Sequence, residues 1–169
     1  MAPLVRRTWA PVGRTPVIYQ RGRSHERVSM IAAIAVSPRR RKMGLYFCLL
    51  ANENVVTRSL LRFLSRLRRQ LGTPMIVVWD RLNMHRSAWA RIRRRNRSVR
   101  SVLLPPYAPE LNPVEPFWAY LKMNPLANHA ACDVEELHAR AERHSAAIAE
   151  NQSLLRSFLK ATPLSLRLK

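Results

Sequence analysis

The sequence predicts a mixed α/β domain, a sheet of short strands with helices on its faces, and three observations carry that prediction. Two apolar runs, residues 27–37 and 44–50, are separated only by the charged "PRRRKM", as the strands of a hairpin are. After them, runs of strand length alternate with segments of helical period, the pattern of parallel strands joined by crossover helices. The chain then closes on helical pattern alone.

Each element has its own justification. The opening residues hold Pro3, Pro11, Gly13 and Pro16, and "TPVIY" (15–19) is their only strand-like piece. Residues 55–71 place apolar side chains at 56, 60, 61, 64, 67 and 71, a helical stripe that Gly72 and then Pro74 should stop. "MIVVWD" (75–80) is short, β-branched and continuous, as a strand covered on both faces would be. Residues 86–96 predict a helix with Trp89 and Ile92 inward and arginines outward, and "SVRSVLLP" (98–105) a strand ended by Pro105 and Pro106. From Asn112 a short helix begins with Pro113 at its first turn. Asp133 with Glu136 three residues on is a capping box before a helix to about residue 150, and "SLLRSFLKA" is a second helical segment.

A chain of 169 residues is most simply one domain, large enough to bury a core without disulfides. Its net charge of +20 points to a polyanionic partner, DNA or RNA. The cations are 26 arginines and 4 lysines. A GC-rich genome explains that choice of base, but not why bases outnumber acids three to one. Cys48 sits in the apolar "LYFCLL", far from Cys132, and predicts a small buried hydrophobe rather than a ligand or disulfide partner. No apolar run approaches membrane-spanning length, and the N-terminus lacks the apolar core of a signal peptide. A cytoplasmic protein with no membrane partner is the expectation.

Against that basic background two acids stand out. Asp80 closes its apolar run, and Glu115 opens the helix after the next strand. In an open α/β sheet, chemistry gathers at the carboxyl ends of strands. If the strands ending near Asp80 and Pro105 are neighbours, both carboxylates can face one pocket. Two carboxylates held close repel unless a cation sits between them. Mg²⁺ or Mn²⁺ suits oxygen ligands, and a pair of such ions about 4 Å apart supports phosphodiester cleavage. Taken singly, each acid has a plainer use. Asp80 can cap a turn, Glu115 can complement a helix dipole, and Glu110 can be a solvated loop acid.

"VVWDRLNMHRSAW" followed by "LPPYAPELNPVEPFWAYLK" resembles the catalytic domain of mariner-type DDE transposases, in particular their bacterial insertion-sequence relatives. "RRTWAPVGRTP" is similar to the Trp–Pro–Gly segment that the family carries between its first two strands, and the likeness runs from about residue 6 to 125. The resemblance implies an RNase H-like fold and metal-dependent DNA cleavage followed by strand transfer. It implies that Asp80 and Glu115, with thirty-four residues between them, are the second and third catalytic, metal-binding acids. His85 matches a His that supports the site or contacts DNA. Asn112 and Pro113 match the turn that presents the Glu, and Tyr107 and Trp118 match aromatic positions with a packing role.

The likeness breaks at one place. The family's first Asp lies on a strand upstream of the Trp–Pro–Gly segment, and this chain has no Asp before Asp80. The first strand is therefore expected to be missing, leaving an incomplete two-ion site and an unpaired edge or exposed apolar surface. Truncation, a misplaced start codon and a frameshift joining this frame to an upstream one all remain open.

The densest basic run, Arg91, Arg93, Arg94, Arg95, Arg97 and Arg100, lies between the two acids, and with His85 and Arg86 it is expected to hold a DNA backbone. A solvated helix face suits Arg66, Arg68 and Arg69 better. The expectation is a catalytic domain over 1–125, incomplete at its N-terminus, with a helical extension over 126–169. Its DNA-cleaving chemistry is silent in the isolated chain, and a homodimer or an upstream-encoded DNA-binding segment is a possible partner. The main alternative is a non-catalytic basic DNA-binding remnant or regulator. A small RNA-binding protein would explain the charge but not the acid spacing.

Overall fold

The structure is a computed structural model that describes residues 5–19, 26–95, 98–164 and 168, with the Arg95 side chain outside the description. Arg97 also lies outside the described residues. Strands β1 (Val28–Val36) and β2 (Met43–Ala51) form the expected antiparallel hairpin, in register from Val28 opposite Ala51 to Val36 opposite Met43. Its turn is closed by Ser37, whose hydroxyl accepts from the Arg41 and Lys42 amides. Helix α1 (Thr57–Leu71) follows and ends on Gly72 at φ 63°, a left-handed residue whose amide reaches back to the Arg68 carbonyl.

Strand β3 (Met75–Trp79), helix α2 (Asn83–Arg95) and strand β4 (Val99–Leu103) form a parallel crossover unit, so the strands that carry Asp80 and precede Glu115 are neighbours. A 3₁₀ turn (Pro109–Leu111) leads to α3 (Val114–Met123), α4 (Val134–Glu150) and α5 (Gln152–Lys160). The start of α4 is capped by Asp133, but the return bond from Glu136 falls one residue before the cap, so the reciprocal box expected is only half made. Asp133 accepts from the Glu136 amide at 2.7 Å, while the Glu136 carboxylate reaches back to the Cys132 amide.

Side chains alternate across the hairpin, and both of its faces are covered. Met43 and Leu45 pack with Phe117, Leu121, Ile148, Leu155, Phe158 and Leu159 from α3, α4 and α5. On the opposite face Ile31 joins Leu60, Phe63, Leu64 and Leu67 of α1, and the same cluster takes in Trp79 and Ala88. This second cluster ties the hairpin to the parallel unit.

The result is a mixed α/β fold with small sheets flanked by helices. Three expectations change in detail. The strands form two separate two-stranded sheets, β1–β2 and β3–β4, rather than one. "TPVIY" is irregular, and among the described residues no strand precedes β1. That opening segment is exposed, and it is pinned through Arg6 to the end of α3 and the chain just after it, where the Arg6 guanidinium donates to the Met123 carbonyl and its amide to Asn128. Finally, β3 is covered on one face only. Ile76 and Val78, with Val102 on β4, point into solvent at 65%, 52% and 50% exposure, because among the described residues nothing packs over the side that α1 and α2 leave free. Among the described residues, no helix is long and apolar enough to cross a membrane.

Candidate active site

Asp80 emerges where β3 gives way to α2, and its carboxylate is already committed locally. Oδ1 accepts from the Leu82 amide at 2.9 Å, closing the turn that starts α2, and lies 2.5 Å from Nδ1 of His85. His85 lies in the first turn of α2, which brings its imidazole back beside the strand end. There it stacks on the Trp79 indole, with centroids 5.0 Å apart and planes 15° from parallel. Trp79 is in turn buried and fixed by its Nε1–H donating to Ser101 Oγ at 2.8 Å. His85 is thus a brace for Asp80, leaving Oδ2 as the carboxylate oxygen without a partner among the described residues. Arg81 adds a second tie, its Nε–H donating to the Leu104 carbonyl at 3.0 Å and locking the ends of β3 and β4 together.

Glu115 is exposed in the first turn of α3, where a carboxylate also complements the helix dipole. The turn before it is built by Asn112 and Pro113. The Asn112 side chain accepts from the Val114 amide at 3.2 Å, its carbonyl accepts from the Glu115 amide at 3.0 Å, and Pro113 sits at φ −66°, already helical. Phe117 and Leu121, on the other side of α3, anchor it to the hairpin. The two acids therefore belong to different halves of the molecule, Asp80 to the parallel unit and Glu115 to the helix docked on the hairpin.

Both are hard oxygen donors that suit Mg²⁺ or Mn²⁺. In number they fall short: among the described residues no three His, Cys, Asp or Glu side chains are grouped to hold a metal ion. The donor set fits part of a divalent site and not a two-ion centre.

Of the basic residues, Arg86, Arg91, Arg93 and Arg94 are exposed along α2, while Ala88, Trp89 and Ile92 turn toward the core. Arg100 is exposed on the open face of β4. Tyr107 departs from its expected packing role. It is fully exposed, with a left-handed φ of 55° between the prolines and the 3₁₀ turn. Trp118 does pack, its ring 4.8 Å from that of Phe117. Cys48 is half-buried and Cys132 exposed, and both are free thiols. The Trp79, Ser101 and Arg81 supports are missing from the residues picked out by sequence. The adjacency of Trp79 to Asp80 was their one visible signal.

Residues 2–138 match the family of DDE superfamily endonucleases. The chain belongs to that family. Among curated proteins none matches it. The DDE family accounts for the mixed α/β architecture and points to transposase-type nuclease chemistry on DNA. The matched span contains Asp80, His85, Asn112, Pro113 and Glu115, and ends inside α4.

Proposed function

We propose that this chain is the catalytic domain of a mariner-type transposase of an insertion sequence, acting in DNA strand cleavage and transfer. The observation that carries the proposal is the built presentation of two acids. Asp80 is held at a strand end by His85, itself seated on Trp79, and Glu115 is held by the Asn112–Pro113 turn thirty-four residues later. In this reading Asp80 and Glu115 are two of the catalytic carboxylates, and His85 is a positioning residue. A bound Mg²⁺ or Mn²⁺ would supply charge neutralisation at the scissile phosphate and an activated water. The exposed arginines of α2 hold the DNA backbone beside that edge, with Arg95 and Arg97 continuing the run. The catalytic domain spans 1–125 with the helices of 126–169 packed on it, in a cytoplasmic, nucleoid-associated protein.

A second reading concerns the isolated chain, and the shortage of metal donors favours it. Alone, it binds DNA through charge and does not cut. A third carboxylate, from an upstream-encoded segment or a second copy, would be needed for cleavage. The test is a nicking assay on supercoiled DNA with Mg²⁺ and then Mn²⁺. The reading predicts no nicking by the chain alone and salt-sensitive DNA binding that Asp80→Asn and Glu115→Gln leave unchanged. Nicking that Asp80→Asn abolishes would show that two carboxylates suffice.

A further inference from the structure

The outer edge of β2 carries chemistry that neither the acids nor the α2 arginines use. In an antiparallel pair, alternate residues direct their backbone groups toward the partner strand and away from it. The phase here is fixed at both ends of the hairpin. Ser37 N–H donates to the Lys42 carbonyl and Asn52 N–H to the Arg27 carbonyl, so pairs of that phase are bonded across the hairpin. Met43 is in the opposite phase, and its amide and carbonyl are both met by the Gln152 side-chain amide, at 3.0 and 2.7 Å. Gln152 imitates a neighbouring strand at that one position. By the same alternation Leu45, Phe47 and Leu49 also direct N–H and C=O outward, and among the described residues β2 pairs with no strand but β1.

Beside this edge runs a groove of about 430 Å³, walled on one side by Leu45–Cys48 and on the other by Ser59, Arg62, Phe63, Arg66 and Gln70 of α1. Both odd and even residues of β2 line it, so the groove follows the strand's backbone edge rather than one of its faces. Its floor is apolar, through Phe63 and Leu67. Its rim is cationic, since Arg62 and Arg66 stand one helical turn apart and are both exposed, and among the described lining residues Glu53 is the one acid.

We propose that this groove docks an extended, acidic segment of a partner protein, which adds as a strand to β2 while its carboxylates meet Arg62 and Arg66. Three features select that occupant. A row of alternating outward donors and acceptors matches a peptide backbone and not a phosphate chain. The paired arginines select acidic side chains. A second copy of this chain would set arginine against arginine in a protein of net charge +20. The surface is separate from the acids at Asp80 and Glu115, so the proposal stands apart from the catalytic one.

The test uses the whole chain, an eight-residue peptide alternating Glu and Val, a matched Lys–Val peptide, and a single-stranded oligonucleotide. Binding is read by titration and by residue-resolved amide hydrogen exchange. The Glu–Val peptide should bind and slow exchange at the Leu45, Phe47 and Leu49 amides. The double variant Arg62→Glu/Arg66→Glu, exposed and so expected to fold, should weaken binding at least fivefold, and Arg62→Lys/Arg66→Lys should retain most of it. Absence of binding overturns the proposal, as does binding without protection at those three amides or equal binding of the Lys–Val peptide. Protection of the same edge by the oligonucleotide, with displacement of the acidic peptide, would instead make the groove a nucleic-acid site and overturn it too.

Discussion

The antiparallel and parallel halves are made of similar residues and end in different states. The hairpin β1–β2 is sandwiched, with α1 on one face and α3, α4 and α5 on the other. The parallel pair β3–β4 is also largely apolar, Arg100 and Ser101 of β4 apart, yet only the face bearing Met75, Val77 and Trp79 is covered, and Ile76, Val78 and Val102 meet water. The difference lies in what the chain has left to cover each sheet. A two-stranded piece open on one side is marginal by itself. It is held here by the shared cluster around Trp79 and by the Arg81 tie between strand ends. The two acids are divided between these halves, so any joint chemistry depends on how firmly the weaker half is seated.

That contrast can be broken from either side. The largest effect belongs to the sandwiched half. Phe117 is fully buried between α3 and the hairpin, and Phe117→Ala should cost roughly 3–5 kcal/mol in denaturant unfolding. The same change should loosen the α3 end that carries Glu115 while leaving the Asp80–His85 contact in place, which side-chain NMR of His85 can follow.

A smaller effect is expected on DNA affinity from the face of the parallel half. Replacing Arg91, Arg93 and Arg94 with Ala removes three exposed cations from α2. If all three meet phosphates, the slope of log K against log salt should become shallower by roughly 0.9 per lost contact. An unchanged slope would make them a solvated helix face.

The third prediction concerns pH. Burial, reinforced by Arg140, Arg143 and His129, lowers the His144 pKa below its ordinary 6.5. The unfolded chain then binds more protons than the folded one over the interval below 6.5, so stability should fall as pH drops through it. His144→Gln should flatten that part of the stability–pH curve. The smallest effect is the sharpest contrast with Phe117. Ile76→Lys on the bare face of β3 should change stability by no more than about 0.5 kcal/mol, because little apolar surface is lost from the core. A cost of several kcal/mol would mean that the face is covered in solution.

What was legible in the sequence was local. The hairpin, the α1 stop at Gly72, the Asp133 cap of α4 and the hydrogen-bonded Asn112–Pro113 turn each depend on residues within a few positions. Coverage was not legible. "MIVVW" has the composition of a doubly buried strand whether or not a second layer exists, and only the arrangement of other elements leaves Ile76 and Val78 open. "TPVIY" has strand-forming residues, yet it lies exposed and pairs with no strand among the described residues. His85 could be picked out by its place after Asp80. Its role as a brace emerged only when α2 turned it onto Trp79.

The proposed function makes Asp80 and Glu115, presented from different halves, ligands of one cation. Paramagnetic broadening by Mn²⁺ tests it most directly, read at the Leu82 amide beside Asp80 and at the Val114 amide beside Glu115. A weakly bound ion should broaden both together, and Asp80→Asn or Glu115→Gln alone should abolish both effects. Broadening at one site that survives loss of the other acid would contradict it.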